Sequence, residues 1–416
     1  MATVPAPDFS REHSRPLLAV FSATFFVRFA FGITLAVFAS YILLRSTGLG
    51  QSDVGEAGLV SAMASVGEFS TVLLSGAAAD RFGRFAVLCG GMGGAAILFA
   101  LVSTTRSPLA LGTLNFLFGI TSGAILAPSL AIVAARSAPN EVGFEMGRFD
   151  AMNLFGWIAG YAFGFGLLGA IPNRSLGVAF LVGAVVLTAG LILAATLLHG
   201  VPRATGRSWL SFSEVIRPAF RRGVLLVTMP WLVIYMLIGT ALVFLATSAT
   251  GIGIPPVYLS LLLAGAGTIL VVTQPLFGRL ADRVGRMRMM TVGATGFVSV
   301  MIFASLLVAY GRQDALLIGI GVSVVAALAY GPAALAALAD LTVEVGRATT
   351  MAIYSLTISL GMVVGLVAST QLYDHLGNVG LYVFFGTVAV ALIVLTVARY
   401  RELASFPIAP VTTPAR

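Results

Sequence analysis

Arg28 and Glu68 each stand near the middle of a long apolar run, farther from any polar stretch than the other ionisable side chains. A charged side chain in hydrocarbon costs upward of about 2.5 kcal/mol, so both must face protein or a water-filled cavity. Three chemistries suit the pair. The two can form a buried ion pair between neighbouring helices. Glu68 can exchange a proton during a working cycle, with Arg28 as its modulator. Arg28 can bind an anionic group of a substrate. Asn115, Asn153, Trp157, Tyr161, Trp231, Tyr235, Gln274, Tyr330 and Tyr354 fall at similar depth in other runs. Each can line a central cavity, and each taken singly is equally explained by packing or an interhelical hydrogen bond. The histidines His13, His199 and His375 lie in a tail or near run ends, so no mid-membrane histidine relay is expected. The chain offers no metal-ligand cluster, nucleophile triad or phosphate loop. Catalytic residues, metals and cofactors are therefore not expected, and the chain does not read as an enzyme.

A second constellation is a charged loop motif that occurs twice. GAAADRFGR begins at Gly76 and GRLADRVGR at Gly278, both fitting G-x-x-x-D-R-x-G-R, half a chain apart. Asp80 and Asp282 can sit at a helix end and face the partly positive N-terminus of a neighbouring helix. Gly83 and Gly285 permit a tight turn. Arg81 and Arg283 follow the acids directly, and Arg84 and Arg286 can pair with acids on adjacent segments. Asp340 is a ready partner for Arg286. At the equivalent place in the first half stands Arg136, so Arg84 would need Glu141, Glu145 or Asp150, and a different latch is expected in each half. Such clusters can form in one conformational state and open in the other, biasing the exchange between them. The alternative is a static turn held by surface ion pairs, each worth about 0–1 kcal/mol.

These residues need a bilayer around them. Of 416 residues, 58% are hydrophobic and 10% charged, with a mean hydropathy of +1.01. A soluble chain could not hide that much apolar surface. Twelve apolar runs are long enough to cross about 30 Å of hydrocarbon as helix. They divide into a polar tail at 1–16, a six-helix bundle at 17–199, a linker at 200–222, a second six-helix bundle at 223–400 and a tail at 401–416. The fold class is thus all-α and membrane-spanning. The repeat continues beyond the loops: Ala127-Pro128 matches Gly331-Pro332, and Gly156 with Gly160 matches Gly361 with Gly365, at the spacing that lets helices approach closely.

Charge placement fixes the expected orientation. The net charge of +8 comes with 24 basic residues, all arginine. Only Arg45, Arg106, Arg174 and Arg312 fall in outside loops if both termini are cytoplasmic, which satisfies the positive-inside rule. Both motifs then lie on the cytoplasmic face of a multi-pass plasma-membrane protein, and the charge needs no nucleic-acid partner. The linker holds Arg203, Arg207, Arg217, Arg221 and Arg222 around Trp209, Leu210 and Phe212, as an interfacial segment on anionic lipid would. Without lysine there is no Walker A site and no Schiff-base lysine. Cys89 is the only cysteine, so no internal disulfide forms. Met1 to Arg15 is polar, and no signal peptide is expected.

With its twelve runs, central loop and paired motif, the chain resembles the major facilitator superfamily of secondary transporters. The second motif copy keeps Gly278, Leu280, Ala281, Asp282, Arg283, Gly285 and Arg286 of the family pattern and departs at Met287; the first keeps Gly76, Asp80, Arg81, Gly83 and Arg84, with Ala78 and Phe85 as departures. The resemblance implies two pseudo-symmetric bundles that work by alternating access around a central pocket. Within the superfamily the pattern is nearest to drug/proton antiporter-like members. Gly147, Gly156, Gly160 and Gly164 reproduce the glycine spacing of their fifth-span signature, although Tyr161 stands where proline is usual. Organophosphate antiporters of the superfamily also carry an arginine in span 1, but add one in span 7, where this chain has Trp231 and Tyr235.

The leading expectation is proton-coupled efflux of a small apolar or cationic molecule by a monomer. The alternatives are proton-coupled import of a small organic anion or sugar, with Arg28 as the recognition charge, and a non-transporting membrane receptor on the same fold. The partners implied are a small-molecule substrate, a proton or other coupling ion, and the lipid bilayer.

Overall fold

The computed structural model describes residues 9–45, 53–105, 108–137, 142–170, 176–198, 217–251, 256–310, 314–341 and 347–403. Most of the expected linker, with Arg203, Arg207, Trp209, Leu210 and Phe212, lies outside the described residues, as do Glu141 and His199. The described chain is almost wholly helical. The N-terminal bundle comprises α1 (Phe9–Arg45), α2 (Asp53–Phe82), α3 (Arg84–Val102), α4 (Pro108–Arg136), α5 (Val142–Ala170) and α6 (Leu176–Leu197). A 3-10 turn at Arg217–Phe220 precedes the C-terminal bundle: α7 (Arg222–Gly251), α8 (Pro256–Val284), α9 (Arg286–Tyr310), α10 (Asp314–Ala327), α11 (Tyr330–Leu341), α12 (Arg347–Leu376) and α13 (Asn378–Leu403).

Among the described residues, ten spans are long and apolar enough to cross a membrane by those criteria alone, α10 and α11 counting as one. The long helices α5 and α8 complete twelve. Hydropathy does not say which helices face lipid, but burial does. In α1, 78% of the apolar window is buried, against 17% in α13, so α1 is an inner helix and α13 faces lipid. Exposed Ile97, Val185, Ile192, Ile302, Val390 and Val394 place α3, α6, α9 and α13 at the lipid boundary, where apolar surface needs no cover.

A proline and a neighbouring helix meet at the break between α10 and α11. Pro332 has no N–H to give to the carbonyl of Leu328 four residues earlier. That carbonyl instead accepts a hydrogen bond from the Gln274 side chain on α8, at 3.0 Å. One span therefore arrives as two pieces, with the joint pinned to its neighbour.

Glycines set the closest approaches. A Cβ at Gly156 would lie 2.7 Å from the Phe25 carbonyl oxygen on α1, and one at Gly160 would strike the Phe29 carbonyl. In the second bundle, a Cβ at Gly361 would lie 2.5 Å from the Leu232 carbonyl oxygen on α7. The α1–α5 contact is thus echoed by α7–α12, backbone against backbone. Each motif copy turns at a glycine of positive φ, Gly83 at 97° and Gly285 at 107°, a region side chains disfavour. The two bundles meet along two seams, α5 against α8 and α2 against α12.

Candidate functional site

The inner helices carry a continuous polar network across the middle of both bundles. Arg28 on α1 is fully buried. Its Nη1 lies 3.4 Å from Oε2 of Glu68 on α2 and its Nη2 3.5 Å from Oε1, while Nε donates to Oδ1 of Asn153 on α5 at 2.8 Å. Glu68 is also held by hydroxyls from both bundles. Ser122 on α4 donates to Oε2 at 2.9 Å, and Ser355 on α12 donates to Oε1. Asn153 Nδ2 donates to the Tyr354 hydroxyl at 3.2 Å, and that hydroxyl donates to Oδ1 of Asp150 at 3.1 Å. A buried ion is tolerable when it is paired and its remaining hydrogen-bonding capacity is met, which this network does for Arg28 and Glu68.

Aromatic rings wall the network. The Arg28 guanidinium lies 5.0 Å from the centre of the Trp157 ring and 5.5 Å from that of Phe31, a cation between two π faces. Trp157 stacks on Phe31 at 5.6 Å and meets Tyr235 of the other bundle edge-on at 6.2 Å. Trp231 contacts Tyr354 at 4.7 Å, Tyr330 at 6.1 Å and Tyr235 at 6.4 Å. The Trp157 indole N–H is buried without a hydrogen-bond partner among the described residues. A donor in that condition favours a guest that brings an acceptor.

Several candidates stand apart from this centre. Asn115 donates to the carbonyls of Val60 and Ser61 at 2.8 and 3.4 Å, clamping α4 to α2. Tyr161 packs edge-on against Phe165 at 4.9 Å. Gln274 serves the α10–α11 joint. Tyr330 donates to the Val227 carbonyl at 3.2 Å and accepts from the buried Arg399 at 3.4 Å. Arg399 also donates to Thr291 at 3.1 Å. It belongs to the C-terminal bundle's interior, although its place near the end of the last run suggested an ordinary loop arginine.

At the arginine-rich end, the second motif copy ties the bundles together. Asp282 Oδ2 accepts from the Phe144 backbone N–H at 3.2 Å, in the first turn of α5, whose N–H groups have no intrahelical partner. Arg286 reaches the Ala336 carbonyl at 2.7 Å, contacts the Asp340 carboxylate and lies 3.9 Å from Asp282. Arg279 stacks over Phe144 at 4.1 Å. The first copy repeats two of these contacts. Arg84 donates to the Ala131 carbonyl at 3.3 Å and pairs with Asp80 at 3.5 Å. Two of the acids considered for Arg84 are occupied elsewhere: Glu145 pairs with Arg148 at 3.0 Å, and Asp150 points into the central network. Helix periodicity turns Asp150 inward, away from the end where Arg84 lies.

Asp282→Asn keeps an acceptor for the Phe144 N–H but removes its negative charge from the α5 N-terminus, worth about 0.3–1 kcal/mol. The expected result is an approximately two- to five-fold population shift toward a state parted at this end. Spin labels at the exposed Phe82 and Val284 positions, in a Cys89→Ser background, would read it as a longer distance.

Against known proteins, the sequence profile described as Major Facilitator Superfamily matches residues 20–255 and 232–413. Among solved structures, the chain is similar to the human organic anion transporter MFSD10 (TETRAN), at 18% identity and a TM-score of 0.74, covering 93% of this chain and 99% of that one. It is also similar to the proton:xylose symporter XylE bound to 6-bromo-6-deoxy-D-glucose, at 16% identity and a TM-score of 0.70, covering 94% and 96%. No curated protein matches the sequence.

Proposed function

The chain belongs to the major facilitator superfamily, and from that premise we propose that it is a proton-coupled secondary transporter exporting a small apolar or cationic molecule. One observation carries the coupling: Glu68 is a buried carboxylate held at once by Arg28 and Ser122 of one bundle and Ser355 of the other. Parting the bundles on either side breaks the Ser355 bond and changes what stabilises the carboxylate, so proton binding and bundle movement become linked. The walls support the substrate class. Trp157, Trp231, Tyr235 and Tyr354 offer rings to an apolar or cationic guest. Arg28 already spends its donors on Glu68 and Asn153 and its faces on two rings, which disfavours it as an anion receptor. Export rests on the glycine spacing of α5, shared with the drug/proton antiporter pattern.

A second reading, proton-coupled import of an organic anion or sugar, draws on the described substrates of the two similar structures. Both likenesses lie at identities that carry the fold alone. Under this reading, Arg28→Gln would abolish uptake of anions and leave neutral compounds unaffected.

The test is transport by purified protein in liposomes under an imposed pH gradient, with a panel of fluorescent apolar cations, neutral aromatics, organic anions and sugars. The expected result is gradient-driven movement of the first two classes, and for Glu68→Gln exchange without accumulation. If no compound responds to the gradient, or Glu68→Gln accumulates as wild type does, proton coupling at this site is wrong.

A further inference from the structure

Asp150 is a buried acid that the central ion pair does not account for. It sits on α5 one turn toward the arginine-rich end from Asn153 and is 1% exposed. Oδ1 accepts from Tyr354, and Oδ2 lies so close to α11 that a Cβ on Gly331 would collide with it. No cation pairs with it among the described residues.

Its surroundings are these. Arg28 on α1 reaches it only through Asn153 and Tyr354. Glu68 on α2 has taken the Arg28 guanidinium. Tyr235 on α7, Gln274 on α8, Tyr330 on α11 and Tyr354 on α12 are uncharged. Farther along α5, Glu145 and Arg148 satisfy each other. The buried centre thus contains two carboxyl groups and one guanidinium. With every group ionised it would hold a net negative charge in low dielectric, which burial penalises. A bound proton removes that charge. The Arg28 guanidinium and two hydroxyls converge on Glu68, whereas Asp150 meets only uncharged partners, the Tyr354 phenol and the Asn153 amide.

We infer that Asp150 is a second proton-carrying group of the central site, neutral in this closed arrangement while Glu68 stays paired with Arg28. The proton sits on Oδ2, since Oδ1 is taken by the Tyr354 hydroxyl. Parting α5 from α8 and α11 at the arginine-rich end would bring Asp150 to water first, ahead of the deeper Glu68. Asp150 could then release its proton to water on that side, and after the bundles close there and part on the opposite side, the centre would take a proton back from the water of that side. The part Asp150 plays in the cycle rests on the proton-coupled reading above; its neutrality in the closed state rests on charge and geometry alone.

The experiment is infrared spectroscopy of the full-length protein in lipid nanodiscs near neutral pH, reading the carbonyl band of a protonated carboxyl group. The band should be present in wild type, unshifted in Glu68→Asp, which keeps the charge that pairs with Arg28, and lost in Asp150→Asn, whose melting temperature should stay close to that of wild type. Absence of the band from wild type, or its persistence in Asp150→Asn, would overturn the inference. So would failure of Asp150→Asn to fold, because a neutral amide closely replicates a protonated carboxyl. Should the band behave as expected while liposomes show no proton-driven transport, the coupling reading falls and the neutrality of Asp150 stands.

Discussion

Arg28→Met is expected to cost about 3–5 kcal/mol of stability, the scale for removing one partner of a buried ion pair. The methionine fills much the same volume, so the loss is electrostatic. Glu68, 2% exposed, would keep only the Ser122 and Ser355 hydroxyls. Asn153 Oδ1 would lose its donor, and Phe31 and Trp157 would lose the cation between them. The double variant Arg28→Met, Glu68→Leu carries no charge at this place and should recover most of the loss, because well-packed apolar pairs often equal or exceed the ion pairs they replace. Reversible unfolding in detergent micelles measures all three proteins. A cost under about 1 kcal/mol for Arg28→Met would mean that the pair is solvated, as at a surface. The double variant also separates stability from function: it should fold and still fail to accumulate substrate.

Much of this arrangement can be read from the residues, for reasons that differ by residue. A charge inside an apolar run is conspicuous, so Arg28 and Glu68 announce themselves, and the paired G-x-x-x-D-R-x-G-R loops carry the two-bundle architecture. Ser122 and Ser355 do not stand out, because serine is common in apolar helices and usually bonds its own helix, as Ser129 and Ser359 do. Asp150 escapes for another reason. Its neighbours in sequence are Glu145 and Arg148, which make the segment look like a charged helix end, and only the rotation of α5 shows that the acid faces inward. Helical periodicity offered the signal: Asp150, Asn153 and Trp157 fall at successive three- and four-residue steps along one face. Arg399 is missed because arginine near the end of a last run fits the positive-inside pattern, whether it reaches outward or inward. The break before Tyr330 is not legible from Pro332, because Pro128 at the equivalent place lies inside an unbroken α4; it depends on a neighbour supplying Gln274, which is a tertiary fact.

Gly160→Ala and Gly147→Ala place the same methyl group on the same helix and should have different consequences. Gly160 faces α1 within its own bundle, where the added carbon would run into the Phe29 carbonyl. Backbone cannot step aside as a side-chain tip can, so α1 and α5 must separate and the packing beside Arg28 and Asn153 loosens. The expected cost is about 1–3 kcal/mol, the range for overpacking a close interior. It should appear as a lower melting temperature with the bundles still associated. Gly147 lies on the seam between bundles, where a Cβ would stand 2.7 Å from the Gln274 carbonyl oxygen and 3.2 Å from Pro275 Cα on α8. There the strain has a cheaper release, because α5 can part from α8 without disrupting either bundle. Gly147→Ala should therefore leave unfolding little changed and lengthen the Phe82–Val284 spin-label distance, as Asp282→Asn does from the same seam. Gly90→Ala is the control: its Cβ would meet nothing within 4 Å, and replacing glycine inside a helix should be neutral or add up to about 1 kcal/mol. If the two α5 variants lowered the melting temperature equally and neither changed the distance, the α5–α8 seam would be as rigid as a bundle interior, and the bundles would not move as separate bodies there.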